Sequence, residues 1–223
     1  MSARAPSKVV VVGRDAALWL AANVIRAALG PAGVTVQVVE LPSLISASDL
    51  HAAQPPLEAL HNLLRIDESA LLRATGGTFS LGQNFTDSAG GASAFFHAQG
   101  AYGAPIDGKD FFAYWLKARA LGLNVAFEDF CLTAAAAKQG RMLIPDEATE
   151  VFGRTDYGYH LPAVAYVASL KALAVRQGVT VHQPVHLHGH GKTAGSCTWQ
   201  AGEKGFEQSC LVVWHHRHVS AAP

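Results

Sequence analysis

The sequence predicts an α/β fold built on a parallel sheet, and three stretches carry that prediction. The run from Lys8 to Val12 is almost wholly β-branched and ends at Gly13. An alanine-rich stretch from Ala16 to Leu29 follows, stopped by Gly30 and Pro31. The segment Val34 to Glu40 then repeats the valine-rich pattern, so strand, helix and strand fit into about 33 residues, the length of a βαβ unit. A strand without polar alternation is buried on both faces, which is the habit of parallel sheets. The crossover between the two strands is right-handed on general grounds.

The later elements are read from periodicity and turn chemistry. Residues 41–56 are loop-like, with Ser, Pro and Gln, and Leu57 to Leu64 has helical apolar spacing. Asp67 is placed to cap a helix from Glu68 to Ala74, closed by Thr75-Gly76-Gly77. Residues 78–85 read as one strand and 87–94 as a small-residue loop. Helices are expected at 111–121, 132–139 and from Pro162 to Gln177, where the proline's missing N–H does little harm at a first turn. Strands are expected at 179–189 and 206–213. The domain reading is a single, incomplete domain over residues 1–223. It divides into a βαβ unit at 1–45, a mostly helical excursion at 46–178 and returning strands at 179–214.

Composition narrows the function. Half the residues are hydrophobic and 15% are charged, so the chain can bury a core. The 17 basic residues equal the 17 acidic ones, which argues against a nucleic-acid partner. No apolar run reaches the roughly 18 residues of a membrane span, and the valine run at the N-terminus is too short for a signal-peptide core. Three scattered cysteines, Cys131, Cys197 and Cys210, without a C-x-x-C pair suggest reduced thiols and a cytoplasmic location.

A strand, a glycine turn and a helix open the FAD/NAD(P)-binding, Rossmann-like fold. In its motif G-x-G-x-x-G the first glycine allows the tight turn, the second lets backbone approach the diphosphate, and the third lets helix pack close on strand. This chain keeps Gly13 but has Asp15 second and Leu18 third. A carboxylate brought near a diphosphate repels it by roughly 4 kcal/mol at ~4 Å and an effective dielectric near 20. That opposes what the helix N-terminus, at Ala16 and Ala17, offers an anion. Glu40 ends the second strand, where an acid bonds a ribose hydroxyl. The plainer alternatives are that Asp15 caps the helix and that Glu40 is a strand-end charge.

Five stretches resemble, in order, the flavin-dependent tryptophan halogenases. They are VVVVGRDAALWLAA (Val9–Ala22), LLRATGGTFSLGQNF (Leu71–Phe85), FFAYWLKARALG (Phe111–Gly122), LNVAFEDFCLTAAAAKQGRM (Leu123–Met142) and YGYHLPAVAYVASLKALAVRQGV (Tyr157–Val179). Trp19 falls where that family has a Trp after its glycine motif, and the likeness spans about the first half of a typical member. The resemblance implies FAD as cofactor, beside the turn residues Gly13, Asp15, Ala16 and Ala17 and the strand-end Glu40 already singled out; Arg141 either faces a flavin phosphate or is an exposed, solvated arginine. It implies that flavin, oxygen and a halide together supply a hypohalous acid, which travels to an essential lysine and on to an aromatic ring. The lysine lies in a motif like A-T-F-K-L-G. The matching residues here run from Gly77 to Gly82, and Ser80 stands in its place. A hydroxyl forms no haloamine and carries no charge, and its hydrogen bond is weaker than a charged one. The family's G-E-A-T type loop has no clean match in 41–56, and its W-x-W-x-I-P motif would lie beyond Pro223. Where the family continues into an Asp-x-Thr/Ser-Gly turn, this chain has Trp214-His215-His216-Arg217-His218. Codons for these residues read one base later give Gly, then Thr or Ile twice, then Gly where the Arg217 codon is CGG, then Thr or Met, which includes a Thr-Gly-Thr turn, so a frameshift is expected to have shortened a longer protein.

The functional reading is a halogenase-like, FAD-dependent oxidoreductase or monooxygenase relative. Its FAD binding is weakened or lost, and it has no halogenating activity because of Ser80. The alternative is a non-catalytic pseudoenzyme or truncated fragment, acting if at all as an interaction module with a second copy or a paralogue. An aromatic small molecule is the expected ligand, with no nucleic acid and no membrane. No metal site is expected: His182, His186, His188 and His190 share one strand face but lack a completing acid or cysteine. Phe111, Phe112, Tyr114 and Trp115 read as core rather than as a substrate pocket. His160, in a Tyr-His pair that matches the family, reads as a partly buried structural histidine.

Overall fold

In this computed structural model the described residues are 7–86, 95–144, 146 and 154–182, with the backbone of 199–201 and 204–206. They form two compact units, Met1–Asp49 with Pro162–Pro223, and Leu50–Leu161.

The first unit is the expected α/β layer. Strand β1 (Lys8–Gly13) runs parallel to β2 (Thr35–Glu40), from Lys8 opposite Thr35 to Gly13 opposite Glu40. Val9, Val10, Val11 and Val12 are all buried, which is why the run shows no polar alternation. Helix α1 (Asp15–Leu29) crosses between them and ends in a short 3-10 turn whose Gly33 takes the left-handed conformation. After the second unit, helix α6 (Ala163–Arg176) packs on α1, and β8 (Thr180–His182) joins β2 in parallel. The sheet order is β1-β2-β8. Asn23, fully buried on α1, locks the two helices by donating to the carbonyls of Trp19 (2.8 Å) and Leu170 (3.0 Å). A further antiparallel pair joins β9 (Trp199–Ala201) and β10 (Lys204–Phe206).

The second unit is less helical than the sequence predicts. It holds α2 (Pro55–Leu63), α3 (Glu68–Thr75), α4 (Phe111–Ala120) and α5 (Leu132–Lys138), but also five strands. Strand β3 (Leu50–Ala53), in the segment expected to be loop, joins β7 (Gly158–Pro162) and β4 (Thr78–Ser80) in the order β3-β7-β4. The single strand expected at 78–85 is two. The chain leaves β4 at Leu81 and enters β5 (Gly82–Phe85), which pairs with β6 (Phe95–Ala98) in a separate antiparallel ribbon. Asp67 caps α3 as expected, accepting from the Ala70 N–H at 2.6 Å.

Of the aromatic residues of α4 expected in the core, Trp115 alone is buried; Phe111 and Tyr114 are half-buried and Phe112 is exposed, because their partners lie along only one side of the helix. Trp115 is buried and donates to the Val125 carbonyl at 3.1 Å. Phe127 stacks on Tyr102 with centroids 4.7 Å apart and meets Phe112 edge-on at 5.1 Å. Cys131 is a buried free thiol, whereas Cys197 and Cys210 lie outside the described residues. So do His186, His188 and His190, the loop 87–94 and the strand expected beyond Phe206. Among the described residues no histidine, cysteine and acid cluster could hold a metal, and no helix is long and apolar enough to cross a membrane.

Candidate functional site

The expected site residues, Ser80 at the lysine's position and the others at the cofactor, fall into two sets. Gly13, Asp15, Ala16, Ala17 and Glu40 lie in the first unit, whereas Ser80 and Arg141 lie in the second.

At the glycine turn, Arg14 is extended and Asp15 enters α1 with φ +57°. That is the left-handed region, which costs a non-glycine residue roughly 1–2 kcal/mol and which aspartate tolerates better than most through local hydrogen bonds. Asp15 does not cap α1, for no side-chain cap bond forms there. Its carboxylate turns to the loop after β2 instead, accepting from Ser43 Oγ at 2.6 Å and from the Leu44 N–H at 3.3 Å. The Leu41 N–H donates to the Gly13 carbonyl at 2.7 Å, so three bonds staple that loop to the turn. Leu18, at the third glycine position, is buried, and a Cβ on Gly13 would already touch its side chain at 3.5 Å. Ala16 is buried and Ala17 exposed.

Glu40 is occupied as well. Its Oε1 accepts from Trp19 Nε1 at 3.3 Å, and its Oε2 lies 2.6 Å from Lys171 Nζ. Lys171 also sits over the Trp19 ring, 5.4 Å from the centroid. Glu40 therefore serves as the hub of α1, β2 and α6. The fingerprint's second glycine lets bare backbone approach a diphosphate, and Asp15 adds a side chain and a negative charge at that place, so this turn does not fit the group; Glu40 is ion-paired but keeps acceptor sites beyond its two contacts.

Ser80 lines a cavity of about 350 Å³ together with Phe79, Phe96, Arg141, Met142 and His160. Its position follows from strand pairing: Ser80 lies opposite Gly158, Phe79 opposite Tyr159 and Thr78 opposite His160. Ser80 is 7% exposed and its hydroxyl donates to the Gly82 carbonyl at 3.2 Å. That leaves its lone pairs as acceptors toward the cavity. Gly82 admits no side chain, because a Cβ there would lie 2.3 Å from the His97 carbonyl oxygen.

Arg141 reaches the same cavity through the end of α5. Gly140 takes φ +64° and donates to the Ala137 carbonyl at 2.9 Å, while the Arg141 N–H donates to Ala136 at 3.0 Å. This is a Schellman ending, which fixes the direction of the chain at the residue after the glycine. Arg141 makes no ion pair among the described residues.

Sequence reasoning missed the support behind this cavity. The Glu68 carboxylate accepts from the hydroxyls of both Tyr157 (3.0 Å) and Tyr159, alternate residues of the chain entering β7. Burial, and then that hydrogen bond, pushes the Tyr157 phenol up to about 12 and moves Tyr159 higher still. Phe79 meets Tyr157 edge-on at 5.4 Å, and His61 stacks on Tyr159 at 6.3 Å. Burial lowers the His61 pKa. An acid three residues before Leu71 and two tyrosines two apart give no pattern that a one-dimensional reading could pair.

A parallel β1-β2-β8 sheet with a glycine turn defines an α/β protein of the dinucleotide-binding type. Within that class the chain belongs to the tryptophan halogenase family, whose model matches residues 8–207. No curated protein matches it by sequence. Among solved structures it is similar to BrvH, a flavin-dependent halogenase from Brevundimonas sp. BAL3, at 26% identity and a TM-score of 0.76 over 91% of this chain and 41% of that one. It is also similar to Xcc4156, a flavin-dependent halogenase from Xanthomonas campestris, at 28% identity and 0.75 over 89% and 40%. The tryptophan 6-halogenase SttH from Streptomyces toxytricini shares the fold, at 22% identity and 0.74 over 94% and 43%. The chain thus spans about two fifths of the length of these structures.

Proposed function

We propose that this chain is a flavin-halogenase relative that keeps an aromatic-ligand cavity but does not halogenate. Its grip on FAD is weakened or lost at Asp15. One observation carries the reading: the side chain where the resemblance puts an essential lysine is a buried serine whose proton is committed to Gly82. A neutral hydroxyl neither forms an N–halogen bond nor polarises hypohalous acid as an ammonium does. Phe79, Phe96 and Met142 leave an apolar wall suited to a flat ring. Flavin enters this reading only as the family's cofactor, the source of oxidising chemistry when bound.

Two measurements test the proposal on the purified chain. Titration with FAD, followed in the visible flavin band, is expected to show weak uptake or none, and tight stoichiometric binding would refute the cofactor part. Mass spectrometry of indole or tryptophan, incubated with reduced flavin, oxygen and bromide, is expected to show no added bromine. A brominated ring would refute the reading of Ser80.

A further inference from the structure

We propose that the cavity beside Ser80 selects a flat aromatic acid, binding its carboxylate at Arg141 and rejecting an amino acid. The inference rests on the aromatic-ligand reading above and specifies the ligand. Among the described residues the polar side chains of the cavity are Ser80, Arg141 and His160, and no aspartate or glutamate lines it. Arg141 is held at the rim by the Gly140 turn and is unpaired among the described residues, so its five N–H donors face no protein carboxylate there. A planar guanidinium pairs with a carboxylate through two parallel hydrogen bonds.

The same lining excludes a ligand ammonium. An ammonium needs acceptors and a counter-charge, and the one strong charge on the cavity's lining among the described residues is of its own sign. Ser80 Oγ is a single neutral acceptor, matched in kind to an indole N–H rather than to three ammonium protons. Phe79 is fixed edge-on to Tyr157, and with Phe96 it supplies apolar walls for the ring. A volume of about 350 Å³ lies at the small end of ligand pockets, the size for one bicyclic ring with a short arm.

The test uses the whole chain and four probes: indole-3-acetate, indole-3-acetamide, tryptophan and tryptamine. The chain has 2 methionines, so methyl-labelled protein gives one signal for Met1 and one for Met142, which reports the cavity directly. Indole-3-acetate is expected to shift the Met142 signal and to bind about tenfold or more tighter than tryptophan, with tryptamine weakest. Arg141→Ala is expected to lower indole-3-acetate affinity about tenfold, to leave indole-3-acetamide unchanged and to keep the thermal midpoint. Arg141→Lys is expected to restore part of the loss. Tryptophan or tryptamine binding as tightly as the acid, an indifferent Arg141→Ala, or a silent Met142 would each overturn the proposal. So would FAD that displaces the acid and loses affinity in Arg141→Ala, since Arg141 would then belong to the cofactor. Brominated product with intact acid selectivity would sink the proposed function and leave this inference standing.

Discussion

Lys171 Nζ lies 2.6 Å from Glu40 Oε2, and this pair ties the end of β2 to the middle of α6. The fully buried Trp19 hands its indole N–H to the other oxygen of the same carboxylate. The pair is partly exposed, so a double-mutant cycle of Glu40→Gln and Lys171→Met is expected to give a coupling of only about 0.5–1 kcal/mol in urea unfolding. Glu40→Ala is expected to cost more, about 1–3 kcal/mol, because Trp19 is left buried without its acceptor. Equal effects of Glu40→Ala and Lys171→Met would show that the Trp19 bond contributes nothing.

Asp15 separates charge from conformation. Asp15→Asn keeps a side chain that tolerates positive φ, and Asp15→Gly removes both strain and charge. Both are expected to tighten FAD binding, read by flavin absorbance or fluorescence quenching. Asp15→Ala keeps the strain and loses the bonds to Ser43 and Leu44, so it is expected to lose about 1–3 kcal/mol of stability. FAD affinity unchanged in Asp15→Asn and Asp15→Gly would place the obstacle elsewhere.

The Glu68 tie predicts an alkaline limit. Tyr157 and Tyr159 have raised pKa values in the fold, so the folded state holds protons that the unfolded chain releases above about 10. Stability is therefore expected to be full below pH 10 and to fall as pH rises toward 12. Tyr157→Phe is expected to make that fall shallower in pH-dependent urea midpoints. A wild-type midpoint flat across this range would contradict the tie.

His61 acts on the acid side. Burial lowers its pKa, so the folded state favours the neutral imidazole while the unfolded chain takes a proton near the ordinary value of about 6.5. Its contribution is present above that value and is lost as pH falls below it. His61→Phe, which keeps a ring against Tyr159, is expected to flatten the decline between pH 6.5 and the folded pKa. An undiminished decline would assign it to other groups.

The first unit was legible because its signals are local. Four successive buried valines, a glycine turn and a second valine strand read the same in one dimension as in three. The second unit was legible in its helices, through the Asp67 cap and the aromatic spacing of α4, but not in its strands. Strands β3 and β7 are 4 and 5 residues long and draw their partners from far along the chain, and β6 is 4 residues long, too short for a periodicity to announce it. The break at Leu81 was hidden for the same reason: alternation continues through it while the pairing partner changes from β7 to β6. At the candidate site, Ser80 was visible as a substitution, whereas its alliance with Arg141 depends on a helix ending about 60 residues downstream. Asp15 was visible as a misfit, but its grip on Ser43 was not.

The burial of Ser80 bears on any attempt to reverse the change. A lysine installed at position 80 would carry its amine into a wall that offers no anion among the described residues, with the Arg141 guanidinium already positive on the same lining. Desolvation and like charge both drive such an amine toward its neutral form. A designer seeking a charged lysine here would have to reshape that electrostatic landscape first, by discarding Arg141 or importing an acid beside it, before rewriting the one codon that looks decisive.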